Sequence, residues 1–264
     1  MKKFLWLLVF LQIFFFVCVA FAQGVKIIDL KGNVEVKTKT GANWQTAKAG
    51  MILGKNAELT TQKNSECTLA FDEYLSNVLT VKENSNLKIE SLLPAKVYLP
   101  SGRVFALIED VKEVRDFKVR TPVVIAGVLG TGEGVDSSDK GSEVSCFEGS
   151  LNVQGLDAQG NPTGSQELDT GSGIEVGMDG SLGERFGLPP DAMAEWNEVR
   201  GDISNTREQQ GVEDTGAGAG GEIGGGSVQE LKQEQQDTTF DQDFFQERIE
   251  REEGSGDPGN GMAS

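Results

Sequence analysis

Between Val25 and Val176 the chain is written in short runs of alternating apolar and polar residues. VKIIDL, NVEVKT, AELTT, CTLAF, NVLTVK, NLKIE, KVYL, RVFALIE, FKVRT, VVIAGVL, EVSCF, LNVQG and IEV are rich in Val, Ile, Leu and Phe. Several repeat with a period of two, the spacing of a strand with one buried face. Turn residues separate them: Lys31-Gly32-Asn33, Asp72-Glu73, Glu83-Asn84, Pro100-Ser101-Gly102, Glu148-Gly149-Ser150, Gly160-Asn161-Pro162 and Met178-Asp179-Gly180. Gly, Asn and Asp tolerate positive φ, and Pro presets the turn. No amphipathic run of helical length interrupts this region. The pattern predicts an all-β domain of many short strands. One unit recurs in Gly32-Asn-Val-Glu-Val, Gly102-Arg-Val-Phe-Ala and Gly149-Ser-Leu-Asn-Val, a turn glycine followed by apolar residues two and four positions on. A glycine turn feeding a period-two strand fits a β-solenoid-like or sandwich core built in layers. Outward Glu35, Lys37, Lys82, Lys88 and Lys118 would protect strand edges from pairing with other chains.

The run TPVVIAGVLGTGEG, residues 121–134, breaks into glycine at Gly127, Gly130, Gly132 and Gly134. A dinucleotide loop needs G-x-G-x-x-G opening a helix, whose N–H groups then face the phosphates. Here the last three glycines are spaced by two, and GVDSSDKGSEVSCF follows, which is rich in turns and then strand-like. No Gly-Lys-Ser or Gly-Lys-Thr closes the segment, so no nucleotide is expected. In a strand the same glycines permit a bend or bulge where a side chain would collide. Pro122 holds Thr121 extended and opens a new strand segment.

Beyond the strands, Pro189-Pro190-Asp191 marks a helix start. Ala192, Trp196, Val199 and Ile203 lie at spacings of four, three and four, on one face of a helix over residues 189–205. This helix is expected to cap an end of the β-domain, residues 23–188. Residues 206–264 turn Gly-rich (GAGAGGEIGGGS) and then acidic and Gln-rich, a low-complexity tail expected to be disordered. In it Phe240, Phe244, Phe245 and Ile249 form a small apolar patch, a candidate partner-binding helix that orders on docking.

The first 22 residues change the compartment. Lys2 and Lys3 precede an apolar run from Phe4 to Val19, and Ala20-Phe21-Ala22 closes it. A basic start, a short apolar core and small residues two apart describe a signal peptide cleaved after Ala22. Cys18 is discarded with it, since Val17 is too bulky for a lipoprotein signal. The mature chain then has no stable membrane span, and is periplasmic or extracellular, where ATP and reduced dinucleotide are not supplied. Residues 191–264 carry 18 acidic and 5 basic side chains, against 23 and 17 in residues 23–190. So acidic a chain repels phosphate backbones, which makes nucleic acid an improbable partner.

Histidine is absent, which removes the usual general base, every His-containing triad and most zinc sites. The mature chain keeps Cys67 and Cys146, too far apart in sequence for a CxxC motif. An oxidising compartment would allow them one disulfide. Each also sits at an inward position of an alternating strand, where a core thiol is equally at home.

The order of motifs resembles the FecR-domain family of bacterial exported proteins over roughly residues 25–180. The matching pieces are Gly32-Asn-Val-Glu-Val, Trp44 with AGMILGKNAELTT, CTLAFDEY, Gly102-Arg-Val, FKVRTP with Gly130-Thr131, EVSCFEGSLNV and ELDTGSGIEV. The resemblance implies that the Thr-Pro strand and the Gly-Thr step belong to a β core. Two positions depart from the family pattern. Leu129 replaces the usual Arg before Gly-Thr, and Glu133 stands where a hydrophobic or aromatic residue is common. Better-known relatives are inner-membrane anti-sigma regulators with a cytoplasmic helical part. This chain opens with an export signal instead, so transmembrane sigma-factor control is not expected to carry over.

The reading that follows is a non-enzymatic protein-binding, scaffolding or signalling module of the cell envelope, with no cofactor, no metal and no catalytic residues, whose partner is another envelope protein. The alternative is an envelope protein acting on carbohydrate or peptidoglycan through Asp72-Glu73 or Glu109-Asp110. Adjacent strand residues point to opposite faces, so neither pair is preset for acid–base work. Asp136-Ser-Ser-Asp-Lys-Gly is loosely like a calcium loop, but Lys140 holds a ligand position and Phe147 stands where the closing Glu belongs.

Overall fold

A computed structural model describes residues 24–211, apart from residues 115 and 129. The chain passes back and forth between two sheets, A and B. Strand β1 (Val25–Lys31) lies in A, β2 (Val34–Lys37) and β3 (Gln45–Thr46) in B, β4 (Ile52–Leu53) in A and β5 (Glu58–Thr61) in B. The hairpin β6 (Glu66–Ala70) and β7 (Asn77–Val81) returns to A, and β8 (Asn86–Leu92) to B. Strand β9 (Ala95–Ile108) serves both sheets. A one-turn helix α1 (Val111–Val114) follows, then β10 (Lys118–Arg120) and β11 (Val124–Val128) in B. Three hairpins complete the sandwich: β12 (Thr131–Ser138) with β13 (Gly141–Glu148) in A, β14 (Ser150–Leu156) with β15 (Pro162–Asp169) in B, and β16 (Ser172–Gly177) with β17 (Leu182–Gly187) in A. Helix α2 (Pro190–Gln209) ends the described chain.

Sheet A reads β4-β1-β6-β7-β9-β12-β13-β16-β17, and sheet B reads β3-β2-β5-β8-β9-β10-β11-β14-β15. Both sheets therefore grow in the same direction as the chain advances. This is a two-layer sandwich laid down in solenoid fashion, and it joins the two alternatives left open by the strand pattern. Every pairing is antiparallel except β9 with β10.

The recurring glycine unit marks where the chain changes sheet. Gly102 lies mid-β9 with φ +103, a region costly for any residue with a Cβ. Before it, β9 pairs with β8 and β10. After it, β9 pairs with β7 and β12. A Cβ at Gly102 would overlap Ser85 of the neighbouring turn. Ser85 in turn accepts the Arg103 N–H at 3.0 Å, so the turns of successive layers stack.

The main core lies between the sheets, with Ile27, Leu69, Leu79 and Ala106 from A facing Val36, Leu59, Leu87 and Val97 from B. A second cluster lies on the far side of sheet A. There Ile28, Val78, Phe105, Leu107 and Phe147 pack beneath Trp196, Val199 and Ile203 of α2. Helix α2 thus covers the outer face of sheet A, not an end of the sandwich, and runs on to Gln209. The cause lies in RVFALI. Val104, Ala106 and Ile108 face the main core while Phe105 and Leu107 face outward, so the outer face needs a cover. Among the described residues no helix is long and apolar enough to cross a membrane.

Candidate functional site

Two glycines of the 127–134 run, Gly132 and Gly134, form a seat for α2. On β12 the outward positions are Gly132 and Gly134. A Cβ at Gly132 would run into the Trp196 ring, and one at Gly134 would press on Phe147 and Phe105. Trp196 stacks on Phe147 with ring centroids 5.1 Å apart and planes 7° from parallel. Its indole N–H donates to Glu148 Oε1 at 3.0 Å, and Arg200 donates to the same oxygen at 2.6 Å. Arg103 adds a tie beside Trp196, donating to Asp136 and to Glu195 on the helix. The β12–β13 ladder slips between Gly132 and Glu133, the bulge that a glycine-rich strand permits.

The inward positions of β12 are unusual. Glu133 is completely buried, and neither carboxyl oxygen has a hydrogen-bond partner. The Thr131 hydroxyl on the same strand face is also without one. Burial pushes the Glu133 carboxyl up to about 8, so it is held mostly protonated at neutral pH. This is the position where the family resemblance leads one to expect a hydrophobic or aromatic residue.

The cysteines take the core-thiol alternative, and no disulfide joins them. Cys67 on β6 and Cys146 on β13 are both buried and free. Strands β7, β9 and β12 lie between theirs, so four strand spacings, roughly 19 Å, separate them, far beyond disulfide reach. Burial pushes the Cys67 thiol up to about 12 and the Cys146 thiol up to about 11, which makes both poor nucleophiles.

The carboxylate pairs do not converge. Asp72 closes its own turn, accepting the N–H groups of Tyr74, Ser76 and Asn77 at 2.7–3.0 Å, while Glu73 is exposed. Glu109 pairs with Arg207 of α2 at 2.6 Å. An open groove of about 520 Å³ beside the stacked turns does hold four carboxylates, and each is engaged. Glu66 pairs with Lys82, Glu83 accepts the Asn64 N–H, and Asp136 and Glu195 share Arg103. The calcium-like segment is the β12–β13 hairpin, with Ser138 accepting the Lys140 N–H.

Among the described residues, the outer face of sheet B has no such cover. Cross-strand register lines its outward side chains into rows. One row runs Lys37, Glu58, Lys88, Tyr98, Arg120, Ile125, Gln154 and Ser165. The next holds Lys96, Lys118, Gly127, Asn152 and Glu167. Lys37 sits 4.3 Å over the Trp44 ring and pairs with Glu58, and Arg120 sits 4.4 Å over Tyr98 and pairs with Glu90. Sequence reasoning singled out Lys37, Lys88 and Lys118 as edge guards. Lys88 and Lys118 stand instead in the middle of a sheet face, Lys37 lies one strand in from its edge, and their outward alternation with Val36, Leu87 and Val119 was the signal available.

The signal cleavage at Ala22, the patch of Phe240, Phe244, Phe245 and Ile249, and Leu129 lie outside the described residues. No curated protein matches this chain. Two crystal structures, each described as a candidate anti-sigma factor from Parabacteroides distasonis, are similar to it. The first is 18% identical with a TM-score of 0.43, over 53% of this chain and 63% of that one. The second is 16% identical with a TM-score of 0.44, over 69% of this chain and 91% of that one. Residues 57–152 run from the β5 border into β14 and include the sheet crossover of β9. They match the family model described as FecR protein.

Proposed function

We propose that this protein is exported and acts in the cell envelope as a non-catalytic FecR-type module that binds another protein, in a signalling or scaffolding role. The observation that carries the reading is the asymmetry of the sandwich. Sheet A buries its outer face under α2, while sheet B presents a flat outer face of ordered polar, charged and aromatic side chains. The FecR match supports a signalling or regulatory module. The carbohydrate-acting alternative draws no support from the carboxylates, since those lining the groove beside the stacked turns are tied to cations or amides. Phe240, Phe244, Phe245 and Ile249 are the proposed second contact point.

The test is fractionation of the native host followed by site-specific photo-crosslinking from Thr60 and Gln154 on sheet B. The expected result is a chain beginning at residue 23, outside the cytoplasm, with a discrete crosslinked protein. An uncleaved cytoplasmic chain, or a purified protein that depolymerises peptidoglycan, would overturn the reading.

A further inference from the structure

Four cations meet on three adjacent strands of sheet B. Lys88 on β8 faces Tyr98 on β9, Tyr98 faces Arg120 on β10, and Lys96 faces Lys118 across the parallel β9–β10 pair. Strands are about 4.8 Å apart and outward residues about 7 Å apart along a strand, so the patch measures about 10 by 7 Å. Only Arg120 has a counter-ion there, Glu90 at 2.9 Å. Among the described residues Lys88, Lys96 and Lys118 have no ion pair. Like charges directly opposite on neighbouring strands are destabilising, and Lys96 and Lys118 occupy such positions in a chain of net charge −17. An anionic ligand would relieve that cost.

We propose that this face docks an acidic, extended segment of a partner protein, an inference that rests on the protein-binding reading above. Charge complementarity sets the sign of the ligand, and three features narrow its class. The ring within the patch, Tyr98, is already covered by Arg120, so it offers no free stacking platform to a sugar. Ile125 is the one aliphatic side chain in the two rows, so the rows offer a lipid layer little apolar surface. The lone Arg is committed to Glu90, which leaves no free guanidinium fork for phosphate. An extended peptide with acidic residues at every second position repeats at about 7 Å and matches the two rows.

The experiment is fluorescence anisotropy of the purified protein with a labelled peptide bearing Glu at alternate positions. The variants are Lys96→Glu/Lys118→Glu and, as a control off the face, Lys63→Glu/Lys140→Glu. The expected result is binding that weakens with salt and falls about tenfold or more in the first variant only. Lys96→Glu alone should raise the thermal midpoint by roughly 1–3 °C while weakening binding, since it replaces a like-charge pair with an opposite one. That opposed pair of changes separates loss of a docking surface from loss of fold. No binding, or equal loss in the control, overturns the proposal. So does tighter binding of a sulfated polysaccharide, duplex DNA or phosphatidylglycerol vesicles through the same lysines. A host protein still crosslinked to Lys96→Glu/Lys118→Glu would sink the patch and leave the protein-binding reading standing, whereas a host with no crosslinked protein would sink both.

Discussion

Among the described residues, sheet A buries both faces of its central strands and sheet B only one. The strands show it residue by residue. In A, β7 is buried at all five positions, and β6 at four of five. In B, β5, β8, β10 and β11 alternate buried and partly exposed positions along most of their length. The same chain thus builds one wall that must be covered and one that need not be. Helix α2 occupies the first, and its attachment uses aromatic stacking and three arginines, Arg103, Arg200 and Arg207. The second is held from behind by the main core alone, so its outward residues are released from packing. Freedom from packing is what lets a face specialise for recognition.

The largest expected effect breaks the covered side. Trp196 is 1% exposed and rests on Phe147 and Phe105. Trp196→Ala should lower stability by about 3–5 kcal/mol, read from the urea midpoint. Hydrogen exchange of α2 should accelerate at the same time. Tyr98→Ala on the open face should lower it by only about 1 kcal/mol, chiefly the stacking with Arg120. Equal losses at the two sites would mean that sheet B is covered too, and the contrast would fail.

Next in size is Glu133, on the inward side of the strand that seats the helix. Its carboxyl ionises at about 8 when folded, against an ordinary value of 4.5. As pH rises, the unfolded chain gives up this proton first, so ionisation favours unfolding. The contribution of this group to stability is therefore flat below about pH 4.5, falls between about 4.5 and 8, and is flat again above. The slope from this group is about 1.4 kcal/mol per pH unit. Between pH 5 and 7.5 the loss is roughly 3 kcal/mol. Glu133→Gln should flatten this dependence, and Glu133→Met should also raise stability at neutral pH, because it removes two orphaned oxygens from the core. A wild-type curve that rises with pH across this window would refute the burial.

How much of this was legible depended on whether a side chain's burial left a periodic trace. The strands of sheet B alternate, and NVEVKT, AELTT and FKVRT could be read directly. CTLAF, NVLTV and RVFALI carry apolar residues at successive positions, as strands buried on both faces do, and the Trp196 stripe is the cover they need. Its location could not be read, because an apolar stripe does not name the surface it meets. Strands β15 and β17 were missed for the opposite reason. PTGSQELD and LGERFG lie at the two sheet edges, largely exposed, so no apolar period forms. The two-residue strands β3 and β4 are too short to carry one. Glu133 was noticed as a departure from the family pattern, but a glutamate in a glycine-rich strand gives no hint that it points into the core. The basic patch was hidden in the same way. Lys88, Lys96 and Lys118 lie far apart in sequence and become neighbours only through cross-strand register.

The smallest expected effect sharpens the open side. Glu90 is the sole acidic group paired with the patch cations, and both its side chain and that of Arg120 are about a third exposed (29% and 39%). Exposed pairs of this kind contribute about 0–1 kcal/mol. Glu90→Gln should therefore shift stability by less than about 0.5 kcal/mol, with no change in the exchange of α2. On the same face it frees Arg120 and removes a negative charge from the docking rows. Affinity for the alternating-Glu peptide should rise about threefold or more, and the salt dependence should steepen. Charge on sheet B would then change recognition at almost no cost to the fold. A loss of stability comparable to that of Trp196→Ala would show that Glu90 and Arg120 hold the sandwich together, and the open face would lose its claim to be free of structural duty.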